Sequence, residues 1–315
     1  VNSAGTSSIQ IPSNMSPEHG VSGHIKRLLW IQNKIPKIIS TQNFDLLLSP
    51  LPEAPLFSPV RSIVIAHDLL PLRYPRLGVL LPYYLTYVPA VLHHAEKVIC
   101  NSNATAKEIT SFFKVPQSKI ITIKLGFDKS KFYPKNLKRE KFFLVLGRHN
   151  PHKNLKRVLK AFSSLNNKSF KIKFVGPFDR RYTPQLRSLT KRLGVSHLCE
   201  WIDWVSDSER LEMLNTCNSL ILASLWEGFG LPALEALACG TSVICSSVGA
   251  IPEVVGGMGL YVDPFNVNDI ASAMDKCIND SYNQKQAKEL GPKYASGFSW
   301  EQTAEEIEKL VISIA

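Results

Sequence analysis

Short apolar runs recur along the chain with room for a helix between most of them, and this rhythm constrains the fold more than any other feature. The runs lie near 44–49, 60–66, 97–101, 119–125, 141–147, 170–176, 199–204, 219–224, 241–246 and 259–262. Strands that alternate with helices favour parallel sheets covered by helices on their faces. The sequence therefore predicts an α/β protein.

Polar residues at characteristic positions predict where several helices begin. Asn103 can cap a helix over 104–113, and Thr183, which precedes a proline, can open another. Ser206 stands three residues before a glutamate and Ser299 three residues before a glutamine, which is the capping-box pattern. These signals place helices between the predicted strands.

The length of the chain predicts two domains. At 315 residues it exceeds what one core usually spans, and 44% hydrophobic with 20% charged residues is typical of a globular protein. The charged, proline-containing segment 128–140 breaks the apolar rhythm and is the predicted linker. We expect an N-terminal domain over 1–137, a C-terminal domain over 138–298 and a separate last helix over 299–315.

Two classes of protein are disfavoured by the sequence. No uninterrupted apolar run reaches about eighteen residues, the length expected of a transmembrane helix, and the first residues show no signal-peptide pattern. The six cysteines are scattered without a CxxC pair, which favours reduced thiols over a metal site or a disulfide framework. They are Cys100, Cys199, Cys217, Cys239, Cys245 and Cys277. The predicted location is cytoplasmic.

The segment 226–240, WEGFGLPALEALACG, carries the strongest functional signal. It follows an apolar strand pattern and combines a Gly-Phe-Gly turn with a helix that Pro232 can open and Gly240 can end. A helix that begins after a glycine turn offers free N–H groups and a positive dipole end to an anion. Glu227 lies before this turn and Glu235 is expected in the first helical turn. Two hydrogen-bonding carboxylates around a phosphate site suit a nucleotide sugar.

A simpler interpretation of the same segment is structural. Glycine turns before helices are common, and this one could serve only to let the backbone pack closely. Glu235 would then be a favourable charge near the start of the helix.

Positive charge supports a phosphate ligand. The formal net charge is +11, and twelve Lys or Arg against two acids fall between 124 and 160. Arg148 and Lys153 follow a predicted strand end, where open α/β sheets bind ligands, and a guanidinium with an ammonium suits a diphosphate. We interpret Lys156, Arg157 and Lys160 instead as a solvated helix face.

Nucleic acid is a weaker explanation of the charge, because the sequence contains no RNP, helix-turn-helix or zinc-finger signature. An anionic membrane surface is a better second partner, which would make the protein peripheral at the inner face of the membrane. The segment 73–94 mixes basic, aromatic and apolar residues as interfacial segments do. An ordinary packed helix with prolines near its ends is the interpretation that we slightly favour for this segment.

Several stretches together resemble the GT-B retaining glycosyltransferases of glycosyltransferase family 4. The family's Glu-x7-Glu signature corresponds to Glu227 and Glu235 around GFGLP. The other similar stretches occur in the family's order: VIAHDLLPLRYP (64–75), LGRHNPHKNLKRVLKAF (146–162), FVGPF (174–178) and SSVGAIPEVVGGMGLYVDPFNVNDIASAM (246–274). The resemblance implies two Rossmann-like domains facing a cleft, with the last helix crossing back onto the N-terminal domain. It also implies an incomplete N-terminal domain, since the family's opening strand and glycine-rich loop have no counterpart here.

The resemblance assigns roles to individual residues. Glu227, His67, Arg148 and Lys153 are the expected catalytic residues. The expected donor-binding residues are Arg148, Lys153, Gly228, Phe229, Gly230, Leu231 and Glu235. His67 could otherwise be an ordinary core histidine, and the residues alone leave these two interpretations evenly balanced.

No metal or other cofactor is expected. The sequence has no Asp-x-Asp pair, the usual carboxylate clamp for Mg²⁺ or Mn²⁺ in the other glycosyltransferase fold. The charge of a leaving diphosphate would then be met by Arg148, Lys153 and backbone N–H groups.

The predicted activity is transfer of a hexose, with retention, from a nucleotide-diphosphate sugar to a glycan or lipid-linked glycan in surface polysaccharide synthesis. UDP-glucose is slightly favoured over GDP-mannose as the donor because UDP-sugars are so widely used, although the His-Asp segment favours the latter. Two alternatives remain: a non-catalytic module that binds sugar nucleotides, and a nucleotide-sugar hydrolase or phosphorylase on the same scaffold.

Overall fold

Two parallel β-sheets organise the chain in a computed structural model that describes residues 8–75 and 80–314. Each predicted apolar run contains one strand. The architecture is the predicted α/β class, with two Rossmann-like domains.

The first domain is built on a sheet of four described strands in the order β1-β2-β3-β4. Its strands are β1 (Leu46–Ser49), β2 (Arg61–Ala66), β3 (Lys97–Cys100) and β4 (Ile120–Thr122). Its helices are α1 (Gly20–Asn33), α2 (Ile35–Gln42), α3 (Leu70–Arg73), α4 (Leu80–Pro82), α5 (Val88–His94) and α6 (Asn103–Phe113). All pairings are parallel, so the loops that follow the strands gather at one edge of the sheet.

The second domain is built on a sheet in the order β10-β9-β8-β5-β6-β7, again with parallel pairings. Its strands are β5 (Phe142–Leu146), β6 (Lys171–Val175), β7 (Cys199–Ile202), β8 (Ser219–Leu222), β9 (Ser242–Ser246) and β10 (Gly259–Val262). Its helices are α7 (Leu155–Ser164), α8 (Thr183–Arg192), α9 (Asp207–Thr216), α10 (Leu231–Ala238), α11 (Ile251–Val255), α12 (Val267–Asn279) and α13 (Tyr282–Ala295). Fully buried β8 and β9 form the centre with β5, as expected of a sheet covered on both faces.

The last helix, α14 (Trp300–Ile314), packs against the first domain rather than the second. Its apolar side chains join a cluster with Ile63, Ile99 and Ile123 beneath the first sheet. The chain passes from one sheet to the other between β4 and β5, and α14 returns beside that crossing. Gly126 is needed there, because a Cβ on it would lie 2.1 Å from the backbone nitrogen of Trp300.

Three sequence predictions about helix ends differ from the structure. The N-cap of α6 is Ser102 and not Asn103, because the Ser102 hydroxyl accepts the N–H of Thr105. Glu235 is the fifth residue of α10 and lies beyond its first turn. The Ser206 capping box is confirmed in full. At Ser299 only half of the box forms, since the Gln302 side chain donates to Glu306.

The described part of segment 73–94 forms short helical pieces, with a π-helical turn over Tyr83–Tyr87. Tyr83, Tyr84 and Tyr87 pack against the core of the first domain, which favours the packed-helix interpretation for these residues. Residues 76–79 of this segment lie outside the described residues. No helix in the described ranges is long and apolar enough to span a bilayer.

All six cysteines are free thiols, and five of them are buried. Burial raises the pKa of Cys100, Cys217, Cys239 and Cys245 to about 12. They therefore pack as small apolar side chains and are not reactive thiolates at neutral pH.

Candidate active site

The loops after β5 and β8 meet because these two strands are neighbours at the centre of the second sheet. β6 continues outward from β5 on one side and β9 from β8 on the other, so the strand order reverses between them. Ligands of open α/β sheets bind at such a switch point, at the carboxyl ends of the strands. The loop after β5 carries Arg148 and Lys153, and the loop after β8 carries Glu227.

Lys153 and Glu227 form an ion pair where the two loops meet. The Lys153 Nζ donates to Glu227 Oε1 at 2.6 Å, and the same oxygen accepts from Ser224 Oγ at 2.6 Å. The two side chains of the pair are 15% and 11% exposed. Because each group already has its partner, both are held in position before a ligand arrives, which is electrostatic preorganisation.

Asn154 links the loop after β5, which carries Lys153, to the loop after β8, which carries Glu227 and is called the glutamate loop below. It adopts a left-handed conformation (φ 60°), and its buried side-chain amide donates to Ala223 O at 2.9 Å and Pro264 O at 2.6 Å. The N–H of Leu225 donates to His152 O at 2.7 Å, which adds a backbone link between the same loops. The distance between Lys153 and Glu227 is therefore fixed by contacts of the residues on either side of Lys153, namely His152 and Asn154.

The two glycines of the Gly-Phe-Gly turn are required for different reasons. A Cβ on Gly228 would lie 2.4 Å from His67 O, so this glycine lets the two domains approach each other. Gly230 has φ +105° at the N-cap of α10, a conformation that strains other residues. The Phe229 side chain is buried and contacts Phe298. The close-packing interpretation is thus correct for this turn. It does not exclude a ligand bound to the backbone amides of the turn, which leads directly into α10 at Leu231.

Arg148 and His149 are adjacent but lie in opposite environments. The Arg148 side chain is exposed and forms no hydrogen bond or ion pair with the described residues, while its backbone carbonyl accepts from the N–H of Asn150 at 2.8 Å. His149 is buried, contacts Thr183 Oγ1 at 2.7 Å and meets the Trp201 ring edge-on. Burial lowers the pKa of His149, so it is a neutral side chain that fixes the loop. Arg148 remains available to an anion.

Glu235 does not stand alone as a carboxylate at the helix start. It is 8% exposed, and its Oε1 accepts from Arg210 Nη2 at 2.6 Å. Burial raises the pKa of Glu235 to about 7, while the charge of Arg210 acts in the opposite direction. The Arg210 guanidinium in turn lies over the Phe132 ring, 4.5 Å from its centroid. The structure thus corrects the helix-start interpretation: Glu235 is the buried half of an ion pair whose partner, Arg210, is partly exposed.

The first domain contributes His67 and Asp68 from the end of β2. His67 is exposed, and its Nε2 lies 3.1 Å from Pro50 O, so it is not a core histidine. Asp68 accepts the N–H of Leu70 through Oδ1 at 2.9 Å. Burial raises the pKa of Asp68, the charge of Glu227 raises it further, and the hydrogen bond from Leu70 acts in the opposite direction. A Cβ on Gly228, the residue after Glu227, would lie 2.8 Å from Asp68 Cβ, so Asp68 lies against the loop that carries Glu227.

A cavity of about 530 Å³ lies between the domains beside this ion pair. Asp68, Tyr74 and Tyr84 line it from the first domain, while His152 and Tyr182 line it from the second. The rings of Tyr74 and His152 lie 5.8 Å apart across the cleft. Aromatic and polar groups that converge on a cleft of this size are typical of a small-molecule site.

The structure brings some predicted site residues together and not others. Lys153 contacts Glu227 directly, and Gly228 contacts His67, whereas Arg148 and Glu235 each stand apart from that pair. Sequence reasoning assigned no role in the site to four residues that shape it: Asp68, Asn154, Arg210 and Thr183, of which Thr183 was predicted only as a helix start. Asp68 and Asn154 lie within motif stretches that were recognised, but a partner such as Arg210 can be found only from the fold.

The fold and the cleft define the class: a GT-B protein with a phosphate-compatible site at the switch point of its second domain. The chain belongs to the family of glycosyl transferases group 1, which matches residues 127–294. Glycosyltransferase Family 4 matches residues 7–131. The two matches cover the two domains in succession.

Curated relatives resemble the chain over most of its length. One is "Serotype-specific mannosyltransferase WbdA" of Escherichia coli, 25% identical over 78% of this chain and 32% of the relative. Another is "O-antigen chain mannosyltransferase B" of the same organism, 28% identical over 67% of this chain and 58% of the relative. The chain therefore spans only about a third to three fifths of these proteins' length.

A solved structure supports the fold. Anabaena Alr3699/HepE, described in complex with UDP and glucose, has a TM-score of 0.77 and covers 88% of this chain and 80% of its own. The sequence identity is 19%, so the likeness concerns the fold alone.

Proposed function

We propose that the chain transfers a hexose from a nucleotide-diphosphate sugar to a glycan or lipid-linked glycan acceptor in surface polysaccharide synthesis. The observation that carries the proposal is the Lys153–Glu227 ion pair at the switch point, 2.6 Å between Nζ and Oε1, beside an open interdomain cavity. Family membership supports the reaction class, and the polysaccharide role follows the names of the O-antigen relatives.

The donor would bind across the cleft with its diphosphate on Lys153 and Arg148. An ammonium group has three donors, so Lys153 can contact phosphate while it keeps its bond to Glu227. Exposed Arg148 supplies a guanidinium fork to the same group. Glu227 would hold hydroxyls of the transferred sugar, with the amides of Phe229 and Gly230. Glu235 would accept from the ribose through Oε2, since Arg210 holds Oε1.

Mannose is the hexose that the relatives favour. The sequence alone slightly favoured UDP-glucose, but both curated relatives described above are named mannosyltransferases. The structural neighbour with UDP and glucose is too distant in sequence to weigh against them. We therefore propose GDP-mannose as the first donor to test, with UDP-glucose second.

The proposed reaction retains the anomeric configuration without a metal ion. Asp68 is a carboxyl of the first domain that lines the cleft, and its raised pKa does not suit a nucleophile. Front-face substitution, in which the leaving phosphate takes the acceptor proton, needs only the cationic and N–H groups of the site. Transfer should survive EDTA, and recovery of a lost activity by added Mg²⁺ or Mn²⁺ would overturn the metal-free mechanism.

A thermal-shift screen against UDP, GDP, ADP and their sugars tests the proposal first. A ligand at a hundred times its Kd stabilises the folded state by about 2.7 kcal/mol, which such a screen detects. Product analysis with the stabilising donor and glycan acceptors then follows. Binding without turnover would favour the non-catalytic module, and release of free sugar with every acceptor would favour the hydrolase.

A further inference from the structure

One carboxylate of the second domain satisfies two backbone donors of the first. Glu253 on α11 accepts the N–H of Asn103 through Oε2 at 2.8 Å and the N–H of Ala104 through Oε1 at 2.7 Å. These residues are the first two of α6, whose N–H groups have no partner within the helix. The negative charge also meets the positive end of the α6 dipole. Glu253 is therefore a strong, directional link between the domains.

The same end of α6 also holds the loop that contains Glu227. The Ser102 hydroxyl donates to Gly228 O at 2.8 Å, and the Thr105 hydroxyl lies 3.3 Å from His67 O. Because Gly228 directly follows Glu227, the start of α6 holds the loop of Glu227 at the residue next to the glutamate.

Helix α11, which carries Glu253, contacts the loop of Glu227 on the side opposite α6. The N–H of Ala250, at the start of α11, donates to Glu227 O at 3.2 Å. A Cβ on Gly249 would lie 2.9 Å from the same oxygen, so the backbones touch there. Arg73 of the first domain adds a further contact, with its guanidinium 3.6 Å from the centroid of the Trp226 ring.

We propose that Glu253 is a positioning residue that couples the approach of the two domains to the placement of Glu227. The loop of Glu227 lies between α6 and α11, and Glu253 is the side chain that joins those two helices. Without it, the domains can separate at this joint, and the glutamate loses the support that aligns it with the first domain. The effect on catalysis rests on the proposed transferase function, whereas the interdomain link itself does not.

Amide hydrogen exchange of the ligand-free protein tests the link. Among the residues that the structure describes, Glu253 is the hydrogen-bond partner of the N–H groups of Asn103 and Ala104, whereas Ser102 is that of Thr105. Glu253→Gln should speed exchange at 103 and 104 by about tenfold or more while Thr105 changes little. Glu289→Gln, the same change at an exposed position of α13, is the matched control and should alter none of them. Equal exchange at 103 and 104 in Glu253→Gln and wild type would overturn the link.

Kinetics test the coupling. Release of nucleoside diphosphate from GDP-mannose or UDP-glucose should show kcat lowered about tenfold in Glu253→Gln, while the affinity for GDP or UDP alone stays within about twofold of wild type. A purely structural role would leave kcat of the folded variant unchanged, and that result would overturn the coupling. If the wild-type protein processes neither donor, the proposed function fails and the catalytic coupling fails with it, but the exchange experiment still decides the link.

Discussion

At the scale of single residues, alanine variants of Lys153 and Arg148 should both bind nucleoside diphosphate more weakly, but only the Lys153 variant should lose folding stability. Each would lose a charge-assisted bond to phosphate when changed to Ala, so nucleoside-diphosphate affinity should fall about ten- to a hundredfold in either variant. Lys153→Ala also leaves buried Glu227 without its cation, which should cost about 3 kcal/mol of folding stability. Exposed Arg148 has no such partner among the described residues, so Arg148→Ala should melt like wild type.

Calorimetry with GDP and UDP, together with thermal melts, checks both statements. Lys160→Ala on the exposed face of α7 is the matched control and should change neither quantity. Undiminished affinity in Lys153→Ala and Arg148→Ala would remove the diphosphate assignment.

Glu235 makes a residue-scale prediction about pH. Its folded-state pKa is raised from 4.5 to about 7, so the folded protein binds this proton more tightly than the unfolded chain does. The stabilising contribution is therefore complete below about pH 4.5 and is lost as the pH rises through 7. The shift corresponds to at most roughly 3 kcal/mol.

Melting curves of wild type and Glu235→Gln at pH 5 and pH 8 measure this contribution. Because the glutamine does not titrate, the variant should gain stability relative to wild type between the two pH values. A stability difference that stays constant across this range would show that the carboxylate is fully compensated by Arg210.

At the scale of elements, strand positions were predictable because the apolar pattern and the amino-acid composition of each short segment determine them locally. Buried strands such as β8 and β9 appear in the sequence as continuous apolar runs, and the structure places a strand in each predicted run. The Ser206 capping box was equally local, since both partners lie within one helical turn. Such features need no knowledge of the fold.

The features that were not predictable depend on contacts between distant elements. Asn103 and Ser102 are both good capping residues, and the choice between them follows from how β3 ends and where the second domain lies. Arg210 and Glu235 are far apart in sequence and meet only because α9 and α10 are neighbours. The motif therefore named Glu235 as a candidate but could not supply its partner, Arg210, or its raised pKa.

Asn154 allows a prediction about how two loops are held together. Asn154→Gly keeps the left-handed backbone without strain but removes both buried bonds, to Ala223 and to Pro264. Each lost bond should cost about 1 kcal/mol, and the affinity for nucleoside diphosphate should fall because Lys153 is less well fixed. Asn154→Ala should be less stable than the glycine variant, since it adds strain at φ 60°.

Thermal melts and calorimetry of the two Asn154 variants provide the check. If Asn154→Gly binds GDP and UDP like wild type, the loops hold their positions without the amide. If Asn154→Ala is the more stable variant, backbone strain at this position is negligible.

At the scale of the whole molecule, the contacts that shape the site come from both domains. α14 packs under the first sheet, Gly126 allows its return, and Gly228 brings the glutamate loop against His67. The residues proposed to bind the sugar-nucleotide donor, Lys153, Arg148 and Glu235, all belong to the second domain. Donor binding and domain approach are therefore separable, and a substitution at the contact should affect one without the other.

Gly228→Ala tests that separation. The added Cβ would lie 2.4 Å from His67 O and 2.8 Å from Asp68 Cβ, so the domains must move apart or the glutamate loop must shift. We expect kcat to fall by about a hundredfold, the effect of a misplacement near 1 Å, while nucleoside diphosphate binds the second domain with nearly wild-type affinity.

Gly257→Ala is the matched control, because a Cβ there meets nothing within 4 Å. Steady-state kinetics with the donor varied, together with calorimetry of GDP and UDP alone, distinguish the cases. A loss of diphosphate affinity as large as the loss of kcat would mean that Gly228 acts on the donor site itself, and the separation between donor binding and domain approach would be wrong.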